Sequence, residues 1–262
     1  MHAILRGVDH TELGRTGVTS PAPGLGLALT RGRHLKRYSY TDPNEDVVAT
    51  CRADGRTALV VADGHSGHTA SHAAVASLLD AMADGVPVWD RRAAVLAYHA
   101  VNTAIERARA AEGPPCHRSR TTLTTAVVAE AAGGGDGSAR TLTVASVGDS
   151  AAFVIRGRVV HRIGRDRHHF LGEHLSAPQV AGALDYDHVA LESGDVVVVV
   201  SDGFTNFADP AVLADAVDAD PVQTAGRIVE AAGDGGAGDN VAVAVLQPAA
   251  PAPARPPPPR SS

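Results

Sequence analysis

Short runs of β-branched and aliphatic residues dominate this chain, interrupted once by a long stretch of helical spacing. After LGLALT at 25–30, the runs DVVATCRADG and RTALVVAD are separated by Asp54 and Gly55, a dipeptide that tolerates positive φ and so favours a tight hairpin. From His68 to Met82 and from Trp89 to Ala111, apolar residues recur at helical spacing, with Arg91, Arg92, Glu106 and Arg107 grouped between them. That period predicts two helices. Past the Gly/Pro break EGPPCHRSR the pattern returns to strands, in TLTTAVVAE, RTLTVASV, AAFVIRG, VVHRI, HVALE and VVVVVS, with glycine-rich turns between them. Two more helical stretches, roughly 209–218 and 221–232, precede a last strand, VAVAVLQ.

Strands that cluster, and do not alternate with helices, argue against a doubly wound parallel sheet and predict an α+β antiparallel sandwich with helices outside it. One domain is expected over residues 25–247. Residues 1–24 are polar with a Gly/Pro segment and read as a loose arm able to add an edge strand, and 248–262 read as a disordered proline-rich tail.

Composition narrows the partners. Of 262 residues, 44% are hydrophobic but only 3% aromatic, so the core is aliphatic. A formal net charge of -6 gives no reason to expect nucleic acid or an anionic membrane, both of which favour basic surfaces, and it suits cation binding. Cys51 and Cys116 lack the spacing of a zinc or redox site, and the N-terminal segment carries charges where a signal peptide has its apolar stretch. The expectation is a soluble, cytoplasmic monomer.

Chemistry gathers on four aspartates. Asp63, Asp149 and Asp202 directly follow apolar runs, in ALVVAD, LTVASVGD and VVVVVSD, and Asp239 directly precedes one in GDNVAVAV. Each sits where a strand meets a loop, a rigid mount from which carboxylates on neighbouring strands can converge. Converging carboxylates repel and need a counter-charge, and hard oxygen donors without cysteine favour Mg²⁺ or Mn²⁺. A pair of such ions activates water and neutralises a phosphoryl group during in-line attack. Taken singly, each aspartate is equally a turn or cap residue. His65, two residues past Asp63, suits a general acid for a leaving oxygen, or is a packing histidine. His68 and His72 lie four apart, but no third soft ligand accompanies them, and they read as a helix face.

In order along the chain, NED at 44–46, VVADGHSG at 60–67, RTTLTTAVV at 120–128, ASVGDSAAFVIRG at 145–157, VVVSDGFTNF at 198–207 and GDNVAVAV at 238–245 resemble the motifs of the metal-dependent protein phosphatases of type 2C, in particular the bacterial serine/threonine members. The resemblance covers residues 25–247. It implies a four-layer α-β-β-α sandwich of two antiparallel sheets with a bimetal centre at one end, and hydrolysis of phosphoserine or phosphothreonine by water activated between Mg²⁺ or Mn²⁺ ions. It makes Asp63 the carboxylate bridging both metals, with the Gly64 carbonyl on one and Asp202 and Asp239 on the other. It has Glu45 and Asp46 hold metal-bound water or touch a metal, and gives Asp149 a looser third ion.

The sequence departs from the family in three places. Where the family has a phosphate-gripping arginine four residues before the motif glutamate, this chain has Thr41, and the basic segment TRGRHLKRY offers Arg37, then Arg33, as replacements, or else forms a solvated patch. The stretch of about 165–187 that shapes substrate choice is short and carries RDRHHFLGEH. SDGFTNF lacks the usual Leu-Trp pair. Two other readings stay open on sequence: a pseudophosphatase that binds a phospho-ligand without turnover, and a phosphatase of phosphorylated small molecules.

Overall fold

The computed structural model describes residues 1–36, 40–114, 116–129 and 140–247; the proline-rich tail at 248–262 lies outside the described residues. Strands β1 (His2–Arg6), β2 (Thr16–Thr19), β3 (Leu25–Thr30), β4 (Val47–Ala53), β5 (Arg56–Ala62) and β6 (Gly64–His65) lead into helices α1 (Thr69–Ala83) and α2 (Arg91–Glu112). Next come β7 (Arg120–Thr121), β8 (Leu123–Ala129), β9 (Arg140–Val147), β10 (Ala151–Arg156) and β11 (Val159–Ile163). Helix α3 (Ala177–Ala183) precedes β12 (Asp185–Leu191) and β13 (Val196–Val200). Helices α4 (Asp202–Thr205), α5 (Val212–Ala216) and α6 (Pro221–Asp234) then lead to β14 (Val241–Leu246).

Two antiparallel six-stranded sheets form, in the orders β1-β4-β5-β8-β9-β12 and β11-β10-β13-β14-β3-β2. Their inner strands are buried along most of their length because both faces are covered, and β13 and β14 are apolar throughout. Along β13, Val197 and Val199 enter the layer between the sheets with Leu27, Leu59 and Val144, while Val196, Val198 and Val200 pack with Phe204, Leu213 and Ile228 on the helix side. Along β5 the same alternation sends Leu59 and Val61 between the sheets and Ala58, Val60 and Ala62 against Leu78 and Tyr98 of α1 and α2. Each fully buried Val or Leu contributes about 1.5–3 kcal/mol. The result is the expected α-β-β-α sandwich. The expected hairpin is present as well: Ala53 faces Arg56 across a two-residue turn with φ of 50° at Asp54 and 68° at Gly55.

Residues 1–24, read as a loose arm able to add an edge strand, contribute two such strands. Strand β1 pairs with β4 and β2 with β3, each at a sheet edge. They cover rows of backbone amides and carbonyls that β4 and β3 would otherwise present unpaired.

Candidate metal centre

The site lies at one rim of the sandwich. Asp63 leaves β5, Asp149 lies in the turn between β9 and β10, Asp202 opens α4 immediately beyond β13, and Asp239 stands just before β14. One carboxylate oxygen each from Asp63, Asp149 and Asp202 lies within 4.8 Å of the others. The backbone of Asp63 is fixed on both sides: its amide donates to Thr122 Oγ1 at 3.1 Å, and its carbonyl accepts from Thr121 Oγ1 at 2.8 Å and from the Thr122 amide at 3.0 Å. These two threonines belong to the RTTLTT run. Glycines flank the aspartates because other chain passes too closely: a Cβ on Gly64 would lie 2.2 Å from the Glu45 carbonyl oxygen, and one on Gly203 would lie 1.8 Å from that of Asn240.

Burial and mutual repulsion dominate the electrostatics. Asp63 is held well above the usual carboxylate range, first by burial and then by Asp202, Asp46 and Asp239. Burial and Asp239 push Asp46 up to about 8, and burial pushes Asp202 up to about 6 with Asp239 and Asp149 adding to it. Burial also raises Asp149. Four of these oxygens, Asp46 Oδ2, Asp63 Oδ2, Asp149 Oδ1 and Asp202 Oδ1, are buried without a hydrogen-bond partner. Buried acceptors left unpaired are costly, and hard anionic oxygens that converge on one point are the donor set of Mg²⁺ or Mn²⁺. The residues therefore fit a divalent cation.

Glu45 differs from the others. Its Oε1 accepts from three backbone amides, those of Thr41 (3.0 Å), Asp42 (3.1 Å) and Gly67 (2.6 Å), which tie its own loop to the segment after β6. Its Oε2 faces Lys36 Nζ at 3.4 Å, and the same ammonium lies 3.3 Å from Asp239 Oδ1. Asn240 fastens this corner, accepting from the Glu45 amide at 3.0 Å and donating to the Pro43 carbonyl at 3.0 Å. Sequence reasoning missed Lys36 as a site residue; its only signal was membership of the basic segment. The neighbouring candidate Arg37 lies outside the described residues. Arg33 is directed elsewhere, with Nη1 2.6 Å from Asp234 Oδ1 at the end of α6, so the structure does not bring it to the carboxylates.

His65 does join the site. Its Nε2 lies 3.6 Å from Asp63 Oδ1, and its ring meets Phe170 edge-on with centroids 4.7 Å apart. Burial holds the imidazole below the ordinary histidine value although Asp149 and Asp239 pull upward. Phe170 belongs to the short stretch between β11 and β12, which is pinned over the rim. Arg120 stacks on Phe170 at 4.1 Å and pairs with Glu173 at 2.9 Å, Leu171 bridges to Thr121, and the Gly172 amide donates to Asn102 Oδ1 at 2.8 Å. His168 Nδ1 stands 3.9 Å from Asp149 Oδ2. His68 is not part of this centre: its Nδ1 pairs with Asp42 Oδ2 at 2.7 Å.

A two-sheet sandwich with buried carboxylates converging at its rim is the frame of a divalent-metal centre. The sequence profile of the family described as protein phosphatase 2C matches residues 34–226, and the chain belongs to that family. It is accordingly a metal-dependent protein serine/threonine phosphatase working with Mg²⁺ or Mn²⁺, and the binding-module and small-molecule readings are not favoured. Among solved structures, the PPM Ser-Thr phosphatase MsPP from Mycobacterium smegmatis, in complex with cacodylate, is 26% identical, with 88% of this chain and 99% of that chain covered at a TM-score of 0.63. The catalytic domain of the serine threonine protein phosphatase PstP, in complex with 2 manganese ions, is 23% identical, with 89% and 99% covered at a TM-score of 0.65. The serine/threonine phosphatase of S. agalactiae is 18% identical over 89% and 99%, also at 0.65. No curated protein gave a significant match.

Proposed function

We propose that this chain removes phosphate from phosphoserine and phosphothreonine side chains of proteins at the rim centre, with Asp63, Asp202 and Asp239 as the principal metal ligands. The observation that carries the reading is the set of buried, unpartnered oxygens on Asp46, Asp63, Asp149 and Asp202. Bound there, divalent ions supply an activated water and neutralise charge on the phosphoryl group. Asp63 is central to the set, its backbone locked to Thr121 and Thr122, and the Gly64 carbonyl beside it is a further oxygen donor. Asp46 completes the buried side, and Asp149 with Asp202 forms the more open corner for an additional, looser ion. Glu45 organises the loop through its three amide bonds and does not serve as a direct ligand.

His65 acts mainly by position in this proposal. A buried imidazole held below its ordinary pKa is neutral near pH 7 and packs between Asp63 and Phe170, where it orders the leaving-group side and limits water. The reading of the substrate as a phosphoprotein is supported by the family and by MsPP, a Ser-Thr phosphatase by name. A cytoplasmic monomer without nucleic-acid or membrane partners belongs to the same proposal. The net charge of -6, the free thiols Cys51 and Cys116, and the finding that among the described residues no helix is long and apolar enough to cross a membrane support it.

The test is phosphate release from phosphothreonine and phosphoserine peptides and from p-nitrophenyl phosphate, with Mn²⁺ and with excess chelator. The proposal expects Mn²⁺-dependent turnover of the peptides. Equal rates in chelator, or hydrolysis of p-nitrophenyl phosphate with none of any peptide, contradicts it.

A further inference from the structure

His65 has a cationic neighbour. Strand β6 pairs with β7 so that His65 lies directly opposite Arg120, and residues opposed across two strands send their side chains to one face. Both side chains then meet the same ring: His65 touches Phe170 edge-on with centroids 4.7 Å apart, and the Arg120 guanidinium stacks on it at 4.1 Å. Since His65 Nε2 is 3.6 Å from Asp63 Oδ1, Arg120 stands on the side of the centre where His65 orders the leaving group. The guanidinium is held but not used up. Its side chain is 43% exposed, and among the described residues its one hydrogen bond runs from Nη1 to Glu173 Oε1 at 2.9 Å. Stacking fixes the plane of the fork and leaves most of its five N–H donors open to an anion. Two other cations near the rim are already engaged. Lys36 is buried against Asp239 and Glu45, and Arg162 Nη2 lies 3.5 Å from the Asp149 carbonyl oxygen and 4.0 Å from Asp166 Oδ2.

We propose that Arg120 is a substrate-binding residue whose open N–H edge grips the phosphoryl group from the His65 side, a task for which Thr41 supplies no cation. The proposal rests on the metal-centre reading above. A phosphate monoester carries close to two negative charges at neutral pH, and divalent ions neutralise it from the carboxylate side alone. An arginine fork pairs with phosphate oxygens through two parallel charge-assisted bonds, which fix orientation as well as charge. Glu173 then acts as a placeholder. It balances the guanidinium before substrate arrives and yields it to the phosphoryl group, and because the pair with Glu173 is solvent-exposed the exchange costs little.

Isothermal titration of the Mn²⁺-saturated full chain with inorganic phosphate tests this on wild type, Arg120→Gln, Arg120→Lys and Glu173→Gln, beside KM for p-nitrophenyl phosphate and for a phosphothreonine peptide. Circular dichroism checks that each variant is folded, and Arg120→Lys stands in should Arg120→Gln not fold. Arg120→Gln is expected to raise the phosphate Kd and both KM values about tenfold or more, with Mn²⁺ binding unchanged. Arg120→Lys keeps the charge without the fork and shows a smaller rise. Glu173→Gln breaks the same ion pair but releases the guanidinium, so the phosphate Kd stays the same or falls. Equal weakening by Glu173→Gln and Arg120→Gln overturns the proposal and reduces Arg120 to a clamp on the Phe170 segment. A raised KM for the peptide alone also overturns it, and moves Arg120 to a residue flanking the phosphate. Unchanged constants in Arg120→Gln, or loss of Mn²⁺ binding in that variant, overturn it as well. Each of these leaves the metal centre standing, whereas a wild type that in Mn²⁺ neither binds phosphate nor turns over either ester overturns both the proposal and the reading beneath it.

Discussion

Stripping the metal should leave a protein whose stability falls as pH rises across the neutral range. Asp202 and Asp46 titrate higher in the folded chain than the ordinary carboxylate value of 3.8, at about 6 and about 8. The folded state therefore holds the extra protons. Stability from this source is fully present below pH 3.8 and is lost as pH rises through about 6 for Asp202 and about 8 for Asp46. The displacement of Asp202 from 3.8 to about 6, at about 1.36 kcal/mol per pH unit, amounts to about 3 kcal/mol. For a chain of this size 1 kcal/mol moves Tm by about 2–4 °C, so Asp202 alone accounts for roughly 6–12 °C. Thermal melts in excess chelator from pH 4 to pH 8 should show most of that fall, with about half of the Asp202 part left above pH 5. In Mn²⁺ it should vanish or reverse, because a bound cation stabilises the ionised carboxylates and binds more tightly as they lose protons. Asp46→Asn, which removes one titrating group from the cluster, should flatten the chelator series. A flat series in wild type, or the same slope with saturating Mn²⁺, would refute the picture of crowded carboxylates awaiting a cation.

Asp149→Ala should raise the Mn²⁺ concentration for half-maximal turnover about tenfold while leaving the rate at saturation within about tenfold, and equal metal curves would reduce Asp149 to a turn residue. His65→Asn should lower kcat by less than about tenfold; a loss of about 10²–10⁴ would restore the general-acid role. Arg33→Ala should leave KM for a phosphopeptide unchanged and cost no more than about 1 kcal/mol of stability, since it breaks only the exposed pair with Asp234, and a raised KM would place Arg33 at the substrate.

The layers of the sandwich were legible because strands covered on both faces spell themselves out as VVVVV and VAVAVL, and because α1 and α2 are long enough to show their period. Four strand-end aspartates were legible for a related reason. An aspartate abutting such a run sits at the rim, and the glycines beside it mark where another chain segment passes closely. Edge strands β1 and β2 were legible only as an arm able to add an edge strand, since five and four residues of mixed polarity carry no clear alternation and owe their form to pairing with β4 and β3. Helices α3 and α4, of seven and four residues, are too short to display a helical period. Within the basic segment, the family arginine missing at Thr41 pointed to Arg37 and then Arg33 as replacements, whereas contacts distant in sequence decide where side chains go. Asp234 draws Arg33 outward, and Asp239 and Glu45 draw Lys36 inward. Glu45 read from its motif as holding metal-bound water or touching a metal, and its capture by three backbone amides depends on a loop path that no local pattern encodes.

Paired determination of bound Mn²⁺ and of phosphopeptide turnover on the same samples of wild type and Asp63→Asn tests the central claim most directly. Asp63 is buried, backbone-locked and central to the carboxylate cluster, so the amide should remove at least one Mn²⁺ per chain and lower turnover by about 10³-fold or more, with the circular dichroism spectrum unchanged. Wild-type turnover by Asp63→Asn, or full Mn²⁺ occupancy in that variant, would contradict a catalytic centre built on this residue.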